Sequence, residues 1–230
     1  MSRLTTLFAA LAFTTVGVFA APCDHVEGSG NVVRRTLDLQ AFHGIAVEGS
    51  IDVVLTPSGS QKVEVEAQEN LVGLVTTEVR NGVWTISTSK GFSTSKPFVV
   101  HVSVPVIDVV RIDGSGDVKG TGAFTAGRVQ LAIQGSGDID LAFNASGLEA
   151  SVEGSGDVKL SGRCVDLKAN VQGSGDINAK DLVAENASVS TAGSGNIPGD
   201  TSGRLNAAVA GSGDAVEGGE AVGGDDDAAA

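Results

Sequence analysis

Gly135-Ser136-Gly137-Asp138-Ile139-Asp140-Leu141 is the stretch that decides the fold, because its first four residues return throughout the second half of the chain. Copies stand at Gly114-Ser115-Gly116-Asp117, Gly154-Ser155-Gly156-Asp157, Gly173-Ser174-Gly175-Asp176 and Gly211-Ser212-Gly213-Asp214. Asn variants occur at Gly193-Ser194-Gly195-Asn196 and, far earlier, at Gly28-Ser29-Gly30-Asn31. From Gly114 onward the steps are 21, 19, 19, 20 and 18 residues. A period near twenty marks a solenoid, in which each repeat buries its apolar side only by stacking on its neighbours.

Working outward from the first glycine of each copy, apolar and polar columns alternate. Two residues before it stand Ile112, Ile133, Val152, Val171, Thr191 and Val209; four before it stand Val110, Leu131, Ala150, Ala169, Val189 and Ala207; four after it come Val118, Ile139, Val158, Ile177, Ile197 and Ala215. A period of two with β-branched residues is the strand signature, and no window carries a comparable helical stripe. Twenty residues at ~3.3 Å trace a coil only about 66 Å around, enough for two or three short strands and tight corners. The motif supplies one corner, with glycines free to take positive φ and Ser, Asp or Asn bonding to nearby backbone. The expected fold is all-β: a right-handed parallel β-helix of ~20-residue coils ~4.8 Å apart. Its inward residues shrink towards Ala207 and Ala215, so the C-terminal end should be the least stable.

The Gly-Ser-Gly-Asp/Asn array, the segment Gly44-Ile45-Ala46-Val47-Glu48-Gly49 and the segment Glu78-Val79-Arg80-Asn81-Gly82-Val83-Trp84-Thr85-Ile86 together resemble the putative auto-transporter adhesin head, or GIN, domain family of bacterial envelope proteins. The resemblance covers most of residues 26–216. It implies an exported β-helical domain and supplies no catalytic residue to carry over. The chain departs from an auto-transporter in having no membrane barrel after the array, and its last repeat decays into Gly218-Gly219-Glu220 and an acidic Asp225-Asp226-Asp227 tail.

Composition agrees with export. Arg3, an apolar run from Leu7 to Ala20 and the small-x-small Val18-Phe19-Ala20 read as a signal peptide over 1–20, cleaved before Ala21. A membrane anchor is disfavoured because Thr14 and Thr15 interrupt a run already short for a spanning helix. Acylation of Cys23 is disfavoured by Pro22, where a small residue is wanted. No later segment is suited to crossing a bilayer. The net charge of −13 repels phosphate backbones, so nucleic acid is not an expected partner.

Residues 21–113 form a less regular β region, residues 114–216 the repeat β-helix, and 217–230 a Gly/Ala/Asp tail. Within the first region, 43–55, 62–67, 74–80, 83–88 and 98–104 read as strands, separated by turns at Thr56-Pro57-Ser58-Gly59, Asn70, Asn81-Gly82 and Gly91-Phe92-Ser93. Asn81-Gly82 is a hairpin signal. Gly49 precedes Gly114 by 65 residues, near three coils, which suits either degenerate opening coils or an antiparallel cap.

The candidate chemistry is sparse. A column of Asp117, Asp138, Asp157, Asp176 and Asp214 could offer oxygens to calcium, but Asn31 and Asn196 keep the hydrogen bond while dropping the charge, which favours a turn role. The period of the calcium-binding nonapeptide repeat is nine, not twenty. A serine nucleophile needs a base held by a third group, and His25, His43 and His101 all precede the array. Those histidines also lack metal-ligand spacing. Neither a catalytic nor a metal residue, nor a cofactor, is expected. Lys119, Asp140 and Lys159 alternate in sign in successive coils and should pair, setting register. The triplets Asn144-Ala145-Ser146 and Asn186-Ala187-Ser188 match the glycosylation pattern and read as loops. Cys23 and Cys164 should be too far apart along the rod to bridge, with Cys164 partly buried.

These readings lead to a non-enzymatic module of the periplasm or cell surface, adhesin-like or structural, whose stacked faces meet a protein or carbohydrate; self-association stays open. The alternative is a β-helical carbohydrate-active enzyme. Against it stand narrow coils, eight Phe, one Trp and no Tyr, and no acid, base and cation gathered at one level.

Overall fold

The computed structural model describes residues 25–214 and 220–221; the segment 1–20 read as a signal peptide, Cys23, Ala215 and most of the tail lie outside them. The first half contains β1 (His25–Glu27), β2 (Val32–Leu37), β3 (Gly44–Gly49), β4 (Asp52–Pro57), β5 (Lys62–Gln68), a 3-10 turn (Val72–Leu74), β6 (Val79–Arg80), β7 (Val83–Ile86), β8 (Gly91–Ser93) and β9 (Val99–Val104). The second half contains β10 (Val109–Gly114), β11 (Val118–Gly135), β12 (Ile139–Gly154), β13 (Val158–Gly173), β14 (Ile177–Gly193), β15 (Gly199–Thr201), β16 (Arg204–Gly211) and β17 (Glu220–Ala221).

The second half is a parallel β-solenoid. β10 to β14 and then β16 pair in parallel succession, each motif glycine opposite the next: Gly114 with Gly135, Gly154, Gly173, Gly193 and Gly211. Uneven repeat lengths are absorbed beside one corner. Between Lys119 and Ala123 the chain advances four residues against two from Asp140 to Ala142, and from Asn178 to Asp181 it advances three against two from Lys159 to Ser161. The 21- and 20-residue steps therefore leave the apolar columns aligned. Strands of 16 to 18 residues fill most of a coil, so each must bend round without leaving the ladder. The triplets at Asn144 and Asn186 consequently lie in β12 and β14, not in loops.

Val118, Ile139, Val158 and Ile177 stand in register and are buried. The column four before the motif also continues beyond the array, since Ile45 pairs with Val110 and Trp84 with Ile45. It therefore tapers from Trp84 through Ile45, Val110 and Leu131 to Ala150 and Ala169. Burial of a Val, Leu or Ile side chain contributes roughly 1.5–3 kcal/mol, so the wide end carries most of the hydrophobic stabilisation. At the narrow end Ala207 is exposed and Val209 is 45% exposed. Thr191 occupies a core position in the neighbouring column, and its buried hydroxyl has no hydrogen-bond partner.

The first half is both a continuation of the solenoid and an antiparallel flap, but its coils are out of order. β3 and β4 stack beneath β10 and the start of β11, while the later β7 and β9 stack beneath β3 and β4. The 65 residues from Gly49 to Gly114 thus span one step of the stack rather than three; the rest of that length builds the coil underneath and the flap. In the flap, β2 pairs antiparallel with β5, and β5 antiparallel with β9. The Asn81-Gly82 turn, with φ of 52° and 75°, joins β6 to β7 as a hairpin. Three expectations fail locally. Residues 43–55 are not one strand but β3 and β4, turned at Ser50 and Ile51. Residues 74–80 are not one strand: Leu74 closes the 3-10 turn by bonding to the carbonyl of Leu71. Gly91–Ser93 is a strand, not a turn, pairing with β1 while Phe92 packs on Phe98 at 4.8 Å.

Candidate functional site

Both motif glycines are required, for different reasons. The first has φ between 128° and 144° from Gly114 to Gly211, a region closed to most side chains. The second, as at Gly156, has no positive φ, but a Cβ there would lie 2.1 Å from the carbonyl oxygen of Gly137 in the coil below; Gly116, Gly137, Gly175, Gly195 and Gly213 are confined in the same way. The carbonyl of Gly135 accepts from the amides of Ser155 (2.9 Å) and Gly156 (3.2 Å), and the carbonyl of Gly154 likewise from Ser174 and Gly175. The Ser115, Ser136, Ser155, Ser174, Ser194 and Ser212 side chains are exposed; it is their amides that hold the corner.

The Asp column acts between coils rather than within its own turn. The Oδ1 of Asp117, Asp138, Asp157 and Asp176 accepts the amide of the corresponding residue one coil on, at 3.2, 2.9, 2.8 and 2.6 Å, and Asn196 accepts the amide of Asp214 at 3.0 Å. The series starts at Asp52, which accepts the amide of Asp117. Gly49-Ser50-Ile51-Asp52 is therefore an unrecognised copy of the motif. Its Ile51 takes the second glycine's place where the coil below makes a long excursion between β7 and β9. Gly28-Ser29-Gly30-Asn31 does not belong to the stack: Ser29 is pinned by the side chain of Asn70, and Asn31 accepts the amide of Glu69 beside the flap.

Lys119 stands in register with Asp140, and Asp140 with Lys159, but the ion pair of Lys119 is with Asp117 at 3.2 Å. That hydrogen bond raises the Lys119 pKa. The expected pairing fails because Asp117, two residues back at the corner that precedes β11, takes the ammonium instead.

His43 and His101 act as clasps. His43 Nδ1 meets Asp108 Oδ1 at 2.6 Å, and the His43 amide bonds to the carbonyl of Gly82, joining the hairpin tip to the coil above. His101 Nε2 lies 3.1 Å from Glu66, which also pairs with Arg34; the Arg34 hydrogen bond, then that of His101, lowers the Glu66 pKa. Among the described residues no three His, Cys, Asp or Glu side chains gather to hold a metal. Cys164 is buried and unbridged, and burial, followed by Asp166 and Glu185, pushes its thiol up to about 11.

The concave feature lies away from the corner. A groove of about 510 Å³ runs across β11 to β16. One side is the column seven residues before each motif, Arg128, Gly147, Asp166, Asn186 and Arg204; the other is the column five before, Gln130, Glu149, Lys168, Ser188 and Asn206. Leu148 and Leu167, buried between them, form the floor. Lys168 pairs with Glu149 at 2.6 Å, and Asn186 donates to Asp166 at 3.0 Å. With Arg128, Lys168 and Arg204 facing Glu149 and Asp166, the groove holds three cations and two carboxylates, against 15 Lys and Arg and 28 Asp and Glu in the chain. Apart from Asn186 and Ser188, which matched a glycosylation triplet, none of these residues stood out in the sequence, although the same alignment on the glycines lays both columns out.

Comparisons with known proteins agree with the fold. The family described as "Putative auto-transporter adhesin, head GIN domain" matches residues 41–221. A putative adhesin from Bacteroides fragilis NCTC 9343 is 20% identical with a TM-score of 0.75, covering 83% of this chain and 98% of that one. A putative adhesin from Parabacteroides distasonis ATCC 8503 is 22% identical with a TM-score of 0.63, covering 84% and 100%. A structure described as a putative lipid binding protein, from the same Parabacteroides strain, is 20% identical with a TM-score of 0.64, covering 84% and 100%. No curated protein matches.

Proposed function

This chain belongs to the putative auto-transporter adhesin head GIN domain family, and from that premise we propose that it is an exported, non-enzymatic binding module that meets its ligand on the solenoid's outer face. The observation that carries this reading is the polar groove across β11 to β16. It is open and built on paired strands, and its side chains are held at a repeated spacing. Such a surface suits recognition by many weak contacts rather than chemistry at one point. One structural neighbour is described as a putative lipid binding protein, but here the interior is filled by the columns from Trp84 to Val189, which directs binding outward.

The motif serines, His43, His101 and the column aspartates all have structural employment. The motif serines are corner residues, His43 and His101 are bonded to Asp108 and Glu66, and the Asp side chains accept amides of the next coil. Immobilised protein lacking residues 1–20 should retain a component of bacterial envelope or cell-surface extracts saturably, and lose it to excess free protein. Failure to retain any component would reject the reading. Fractionation of cells carrying the full chain should place it outside the cytoplasm, and deletion of residues 1–20 should abolish that.

A further inference from the structure

We infer that the groove across β11 to β16 takes a linear acidic polysaccharide lying along the solenoid axis, its carboxylates held by Arg128 and Arg204; the inference rests on the binding role proposed above. Arg128 registers with Gly147, Gly147 with Asp166, and Asp166 with Asn186. Arg204 immediately precedes Leu205, which registers with Ala187. The two arginines thus stand at opposite ends of one column, their Cα positions four rises or about 19 Å apart. Among the described residues neither has an ion-pair partner, whereas Lys168 between them is held by Glu149. The chain is strongly acidic, yet this strip presents two uncommitted arginines, the side chain best shaped to bind a carboxylate with two parallel hydrogen bonds.

The intervening groups define the rest of the ligand. Asp166 repels a carboxylate placed over it but accepts hydroxyls, and Gln130, Asn186 and Asn206 offer amides on both sides of the floor. Gly147 leaves the column open beside Arg128. A hydroxyl-rich polyuronide that turns along its length can set carboxylates over the two arginines and hydroxyls over Asp166, matching this order of cation, gap, acceptor, amide and cation. An extended peptide fits less well, because strand addition needs an open sheet edge and the backbone beneath the groove from β12 to β14 is paired on both sides.

The test uses the chain lacking only residues 1–20, with polygalacturonate oligomers as the acidic probe, their methyl esters as the uncharged form of the same polymer, and dextran as a neutral glucan. Polygalacturonate should bind, weakening as salt is raised, while the esters and dextran bind at least about tenfold more weakly. Arg128→Gln and Arg204→Gln should each raise Kd about tenfold, and the pair about a hundredfold, with melting temperatures unchanged. Lys159→Gln, on the strand after the corner, should have no effect. Equal binding of the ester, undiminished binding by the double variant, or absence of polygalacturonate binding would overturn the inference. If the double variant still retains its envelope component, the ligand assignment fails and the binding role stands; if the unaltered chain retains none, the role itself fails.

Discussion

Replacing Gly156 by Ala tests the corner at the point where the physical cause is simplest. Gly156 has no positive φ, so the left-handed strain that excludes side chains from the first glycine does not apply; the obstacle is the 2.1 Å between the added Cβ and the Gly137 carbonyl oxygen. Both partners are backbone, so relief requires the coils to part by about 1.3 Å, the distance to an ordinary van der Waals contact. Four hydrogen bonds cross that gap: Ser155 and Gly156 to Gly135, Asp157 to the Asp138 side chain, and Ile139 to the Asp157 carbonyl, at 2.9, 3.2, 2.9 and 2.9 Å. At about 1 kcal/mol each, their loss costs about 3–4 kcal/mol. For a domain of this size that lowers Tm by roughly 6–16 °C. Thermal unfolding followed by circular dichroism is the assay, with Ser155→Ala, an exposed change in the same corner, expected to stay within about 0.5 kcal/mol. A Gly156→Ala protein that melts within 2 or 3 °C of the parent, at about the Ser155→Ala value, would show that the coils have slack and that steric closure does not explain the glycine.

Asp157→Asn should melt close to the parent, because Asn196 already performs the same acceptance at 3.0 Å, whereas Asp157→Leu should cost about 1 kcal/mol by stranding the Asp176 amide; a large calcium-dependent rise in Tm that Asp157→Asn abolishes would contradict this. Thr191→Val should raise stability by about 1 kcal/mol in a thermal melt, since it replaces an unpartnered buried hydroxyl with the methyl that Val171 carries in the same column; destabilisation would mean the hydroxyl is satisfied. Cys164, with its thiol raised to about 11, should alkylate slowly at pH 8 in the native protein and rapidly in denaturant; rapid native alkylation would place it at the surface.

The apolar columns from Val110 to Val189 were legible because a period of two repeated six times leaves little alternative. What escaped reading lay where equivalent positions carry different residues. Gly49-Ser50-Ile51-Asp52 hides behind its isoleucine, because the steric need for the second glycine comes from the coil below and relaxes at that coil. Gly28-Ser29-Gly30-Asn31 has the letters without the neighbours. The order of the early coils cannot be read from spacing, since a 65-residue interval fits three coils as well as one coil with an excursion. The groove is polar and mixed in charge, so its columns lack the repetition that made the core visible.

The out-of-order coil has a consequence for synthesis. A chain emerging N-terminus first produces β3 and β4 when nothing exists for either side of that coil to rest on; its lower neighbour arrives with β7 and β9, its upper one only with β10. Closing 65 residues rather than about 20 adds about 1 kcal/mol of chain entropy, and that cost falls once, before any repeat can dock. Every later coil finds a finished template and closes a short loop. Residues 44–114 therefore serve as the starter of a one-way elongation, and tandem duplication of a Gly-Ser-Gly-Asp coil can lengthen the rod downstream of β11 but not within its base.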